Sequence, residues 1–180
     1  MNKLEPKKSR FSMTSQWGGD LARHSGGCVS SERDETGEPD IKLAGLSLWA
    51  RSREFPGSDD DWDGNWIDLV VFVDAPGARV ERRGPYLRSD DLAAFREQLA
   101  ALHSDLKGTA NLDCIEPALK GKVGCGSLGH IEVAVDITPD HLRQSHQFVF
   151  DIDQSYLATT LAGCARVLDR FPAKSSAAEI

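Results

Sequence analysis

Ser89-Asp90-Asp91-Leu92-Ala93-Ala94-Phe95-Arg96-Glu97-Gln98-Leu99-Ala100-Ala101-Leu102-His103-Ser104-Asp105-Leu106-Lys107-Gly108 is the stretch from which the fold is read. Leu92, Phe95, Leu99, Leu102 and Leu106 recur at helical spacing, so one apolar stripe faces a core. Ser89 stands where an N-cap is expected. Asp90 and Asp91 fall in the first turn, where the positive end of the helix dipole favours acids, and Gly108 closes the run. On both sides of this helix the apolar period drops to two.

Upstream, residues 41–50 carry Ile41 and Leu43, then Leu46 and Leu48, and the phase shift across Ala44-Gly45 reads as a bulge. Residues 65–73 place Ile67, Leu69, Val71 and Val73 on one face with Val70 and Phe72 on the other, the pattern of a central strand. Ala75-Pro76-Gly77 is a turn signal, and the more polar residues 79–87 read as a strand near an edge. Downstream, residues 109–115 and 118–125 read as strands. Residues 131–137 alternate cleanly, with Ile131, Val133, Val135 and Ile137 inward, and 147–152 repeat the pattern through Phe148, Phe150 and Ile152. Asp153 is placed to cap a last helix bearing Leu157, Leu161, Cys164, Leu168 and Phe171, closed by Pro172. Gly163 inside it weakens the helix by about 1 kcal/mol relative to Ala unless a neighbour needs close approach.

The order βββ-α-ββββ-α predicts an α+β domain over residues 40–173. Its expected form is a mostly antiparallel sheet of about six to seven strands with the helices packed on one face. Residues 1–39 are rich in Ser, Gly, Lys and Glu without a period and read as a flexible or irregular arm; residues 174–180 read as a disordered tail.

A length of 180 residues allows one domain with a real core, and 40% hydrophobic with 27% charged residues is ordinary for a soluble globular protein. No run approaches the roughly 18–20 apolar residues of a membrane span. Lys3, Lys7 and Lys8 are followed by no apolar segment, so the N-terminus does not read as a secretory signal. Cys28, Cys114, Cys125 and Cys164 are widely spaced and read as reduced thiols, which together with the rest points to the cytoplasm. A formal net charge of −7 argues against nucleic acid as partner, because neutralising phosphates takes Lys and Arg, and favours a cationic protein instead. The acids are concentrated: Glu54, Asp59, Asp60, Asp61, Asp63, Asp68 and Asp74 occur between residues 54 and 78 without one Lys or Arg.

Three motifs invite chemistry. Gly124-Cys125-Gly126-Ser127-Leu128-Gly129 fits the spacing of a dinucleotide loop, but it opens the strand at Ile131 where pyrophosphate binding needs a helix N-terminus; it reads as a glycine-rich hairpin loop, and no cofactor is expected. Asp59-x-Asp61-x-Asp63-Gly64 matches the first half of a calcium loop, yet the twelfth position is Val70 instead of a bidentate Glu and no helix precedes it. The expected reading is a solvated acidic loop ending in a turn, with a divalent-metal module or metal-dependent enzyme on Asp59–Asp63 as the alternative. Cys114, Cys125 and His130 match no standard zinc spacing. No nucleophile elbow occurs, and exposed acids lack the raised pKa of a general acid, so the chain is expected not to be an enzyme. The acidic loop is instead flanked by Phe55, Trp62 and Trp66. Rings supply contact area while carboxylates steer a basic partner, so Glu54, Phe55, Asp59, Asp60, Asp61, Trp62 and Asp63 are the candidate partner-binding residues. Trp66 adjoins a strand and reads as semi-core; Trp62 stands between core and interface.

Asp61-Trp62-Asp63-Gly64-Asn65-Trp66 after the strand 46–51 resembles the signature of the WapI-like immunity proteins of bacterial polymorphic-toxin systems. So do Leu87-Arg88-Ser89-Asp90-Asp91-Leu92 before the first helix and Asp151-Ile152-Asp153-Gln154-Ser155-Tyr156-Leu157 entering the last, with Phe171-Pro172 as ending. The resemblance spans about residues 41–172. It implies neutralisation of a cognate toxin, often a nuclease, by a protein–protein interface in the cytoplasm.

Overall fold

The computed structural model of the protein describes residues 37–126 and 129–175. Apart from residues 37–39 and 174–175, the expected arm and tail lie outside the described residues.

Eight strands and two helices follow one another as β1 (Ile41–Leu43), β2 (Leu46–Arg53), β3 (Trp66–Ala75), β4 (Ala78–Arg88), α1 (Ser89–Asp105), β5 (Gly108–Asp113), β6 (Leu119–Cys125), β7 (Ile131–Ile137), β8 (Gln147–Ile152) and α2 (Ser155–Arg170). The α+β class and the antiparallel pairing agree with the sequence reading. The single sheet of six to seven strands does not: there are two four-stranded antiparallel sheets, β1-β2-β3-β4 and β5-β6-β7-β8. Each is a run of hairpins, and α1 carries the chain from one to the other.

The extra strand comes from the phase shift at Ala44-Gly45. It is a tight turn and not a bulge: Ile41 pairs with Leu48 and Leu43 with Leu46 across it. Ala44 takes left-handed backbone there (φ 51). A Cβ on Gly45 would lie 2.4 Å from the Asp74 carbonyl and 2.5 Å from the Phe150 ring, so only glycine lets β8 close over this turn. A true irregularity lies further along, between Ala50 and Ser52 in the β2–β3 ladder, and a second between Ile67 and Asp68 in the β3–β4 ladder. Both bracket the loop that leaves β2 and re-enters at β3.

β3 is central, as its two-faced pattern predicts. Ile67, Leu69, Val71 and Val73 enter the main core together with inward residues of the second sheet (Val123, Ile131, Val133, Val135, Ile137) and the helical stripes Leu92, Phe95, Leu99, Leu102 and Leu157, Cys164, Val167. Val70 and Phe72 point the other way and form a small cluster with Trp49, whose ring meets Phe72 edge-on at 5.1 Å. A fully buried side chain of this size contributes about 1.5–3 kcal/mol, so the interior is ample for a domain of this length. α1 packs against β5 and α2, and α2 lies along β1. Gly163 is where that contact is closest, since a Cβ would stand 2.4 Å from the Asp40 carbonyl; the neighbour that justifies a helical glycine is β1.

The helix boundaries match the sequence, but Ser89 is not the cap. Arg88 holds that position with no side-chain capping bond, and the buried Ser89 hydroxyl turns inward, donating to the Asn65 carbonyl at 3.4 Å. Nor is Asp153 the cap of α2: Gln154 holds that position with no side-chain capping bond, and Asp153, one residue earlier, accepts the Ser155 N–H at 2.8 Å. In the glycine-rich stretch, Gly124 and Cys125 end β6, Cys125 pairs with Ile131 of β7, and the Gly126 N–H donates to the His130 carbonyl at 2.8 Å; Ser127 and Leu128 lie outside the described residues. Cys114 and Cys164 are buried free thiols, pushed up to about 12 by that burial, and Cys125 is free and half-buried. No helix among the described residues is long and apolar enough to cross a membrane.

Candidate functional site

The loop between β2 and β3 has two sides with different chemistry. Its underside is bonded to the body of the protein by residues far apart in sequence. Arg53, the last residue of β2, donates to the Gly64 carbonyl, to Ser89 Oγ at 3.3 Å and to the Pro172 carbonyl at 2.5 Å. Asn65 is 1% exposed: its amide nitrogen donates to the carbonyls of Asp61 (2.8 Å) and Lys174 (2.9 Å), and its oxygen accepts the Lys174 N–H (2.8 Å). Arg88, 8% exposed, donates to the same Asp61 carbonyl at 2.8 Å and pairs with Asp90 at 3.0 Å. Lys174 Nζ reaches the Ser58 carbonyl. Gly64 cannot be replaced without disturbing this, because a Cβ would lie 2.8 Å from both Lys174 Cδ and the Ser58 carbonyl.

The seven residues singled out in the sequence are all exposed. Glu54 follows β2 directly, held by its N–H donating to the Trp66 carbonyl at 3.1 Å. Phe55 is 46% exposed and Trp62 57%, large rings for a surface loop. Trp62 lies over the Arg88 guanidinium, 4.8 Å from its ring centroid, which fixes one face of the indole and leaves the other to solvent. Asp59 is fully exposed and, among the described residues, meets only Lys174 Nζ, at 3.4 Å. Asp61 and Asp63 carry exposed carboxylates over a fixed backbone, a short 3-10 turn at Asp63–Asn65.

Asp60 is different. Its carboxylate accepts the Ser58 hydroxyl (2.5 Å) and the N–H groups of Trp62 (2.8 Å) and Asp63 (2.6 Å), organising the loop from within. The Ser58 hydroxyl, then these backbone donors, hold its pKa below the usual carboxylate value. Of the calcium-like Asp59-x-Asp61-x-Asp63 pattern, no metal-holding group forms: among the described residues no three His, Cys, Asp or Glu side chains are so placed. Trp66 is half-buried, as its position beside a strand suggests.

Sequence reading did not find two further neighbours. Beside Glu54 and Phe55 opens a cleft of about 290 Å³, lined also by Trp66, Pro85 and Tyr86 of the first sheet and by Glu116 from the β5–β6 turn. Tyr86 and Glu116 carry no motif: Tyr86 comes beside Trp66 through the β3–β4 pairing, and Glu116 arrives from the β5–β6 turn of the other sheet.

The profile described as the Immunity protein WapI-like family matches residues 39–172. No curated protein and no solved structure matches.

Proposed function

The chain belongs to the WapI-like immunity protein family, and on that premise we propose that it neutralises a cognate toxin by docking the exposed side of the β2–β3 loop onto a basic surface of that toxin in the cytoplasm. The observation that carries this reading is the loop's construction. Carboxylates of Asp59, Asp61 and Asp63 and the rings of Phe55 and Trp62 face solvent while the backbone beneath them is fixed by Arg53, Asn65, Arg88 and Lys174. A surface ordered before binding loses less entropy on association, and clustered acids raise the encounter rate with a cationic partner. A nuclease domain meets that description, since a surface that holds phosphates carries Lys and Arg. No chemistry on the loop is required, because occupying such a surface suffices to exclude substrate.

The test uses charge reversal at Asp59, Asp61 and Asp63, leaving Asp60 to hold the loop. With a cognate toxin domain, the triple Lys variant should associate on the order of tenfold or more slowly at low salt, with the gap narrowing at high salt. Its thermal midpoint should stay within a few degrees of the parent, since the three side chains are solvated. An unaltered association rate for a folded variant removes the loop from the interface.

A further inference from the structure

We propose that the cleft beside the acidic loop is a receptor for one cationic side chain, arginine or lysine, of the partner protein; this rests on the docking reading above and names a second contact for it. Three aromatic residues, Phe55, Trp66 and Tyr86, and Pro85 line it, and its two acids come from loops of different sheets, Glu54 after β2 and Glu116 in the β5–β6 turn. Among the described residues no Lys or Arg lines it. Two guanidinium groups contact rings of its lining without being part of it: Arg82 lies over the Tyr86 ring at 4.0 Å, and Arg88 stands 6.0 Å from the Trp66 centroid. Tyr86 is further fixed by its hydroxyl donating to the Arg83 carbonyl at 2.5 Å. Among the described residues no hydrogen bond or ion pair engages the carboxylate of Glu54 or Glu116.

The combination selects its occupant. An aromatic-walled cleft alone would take any apolar group. Ring faces attract a cation through their quadrupole, and two carboxylates at the same opening add Coulombic attraction and acceptors for N–H donors. A carboxylate or phosphate ligand meets two like charges here and is repelled. The volume of about 290 Å³ holds a guanidinium or ammonium with its alkyl stem.

The full chain, labelled with nitrogen-15, is titrated with acetyl-arginine amide, acetyl-lysine amide and the neutral acetyl-citrulline amide while amide and indole N–H signals are followed. Saturable shifts at Trp66, Glu54, Phe55 and Glu116 with the two cations, at millimolar affinity, and none with citrulline are expected. Glu54→Gln with Glu116→Gln, both exposed, should weaken arginine binding at least tenfold. Equal binding of citrulline, shifts confined to residues 59–63, or an unchanged affinity in the double variant each overturns the proposal. The double variant is then assayed against a cognate toxin domain beside the Asp59/Asp61/Asp63 reversal. Loss only in the reversal sinks the cleft and leaves the docking reading standing; loss in neither sinks both.

Discussion

The two sides of the β2–β3 loop divide stability from recognition within a dozen residues. Below, buried and half-buried side chains tie the loop to backbone carbonyls of distant segments: Arg53 to Gly64 and Pro172, Asn65 to Asp61 and Lys174, Arg88 to Asp61. Above, Asp59, Asp61, Trp62 and Asp63 project from that backbone into water. The Asp61-Trp62-Asp63-Gly64-Asn65-Trp66 motif therefore mixes two kinds of residue. Gly64, Asn65 and Trp66 are there because the fold needs them. Asp61, Trp62 and Asp63 are displayed by it. A contiguous motif need not be an interface throughout, and substitution can separate its halves.

Asn65→Ala should give the largest effect. It removes three hydrogen bonds, leaving the Lys174 N–H and carbonyl without their partner and the Asp61 carbonyl with Arg88 alone, a loss of about 2–4 kcal/mol. Urea unfolding should show a lower midpoint with the slope retained. A loss below about 1 kcal/mol would mean that the underside does not hold the loop.

Trp62→Ala is the counterpart on the other side. The indole contacts the Arg88 guanidinium at 4.8 Å but is more than half exposed, so folding should weaken by only about 0.5–1 kcal/mol. Affinity for a cognate toxin domain, measured by calorimetry, should drop by about 2 kcal/mol, as for a central aromatic contact. If stability falls as far as in Asn65→Ala while affinity holds, Trp62 belongs with the underside and the division is wrong.

How much of this could be read from sequence depended on whether the signal was local. Helix α1, strand β7 and the two-faced β3 are visible because their periods repeat within one element. The Ala44-Gly45 shift was visible too, but a bulge and a two-residue turn leave the same change of phase, and only the pairing of Leu43 with Leu46 decides between them. Two sheets in place of one is a matter of where α1 delivers the chain, which no period records. The exposed half of the candidate site was legible as a run of acids among aromatics. Its support was not: Asn65 and Lys174 are 109 residues apart, and Glu116 reaches the cleft from the other sheet.

Asp60 tests the division most finely, because it is an exposed acid that works for the structure. Its folded pKa is held below the ordinary 3.8, chiefly by the Ser58 hydroxyl and then by backbone N–H groups. A carboxylate whose pKa is depressed by folding contributes stability fully above its unfolded value and loses it as pH falls through the folded one. The contribution of Asp60 should therefore be constant between pH 5 and 8, and its carboxylate, followed through the Asp63 amide it accepts from, should titrate only in acid, with a midpoint under 3.8. Ser58→Ala removes the leading cause and should bring that midpoint up towards the ordinary value, while global stability at neutral pH barely alters. A midpoint at or above 3.8 in the parent, or no response to Ser58→Ala, would place Asp60 with its displayed neighbours, and the charge reversal of the loop would then have to include it.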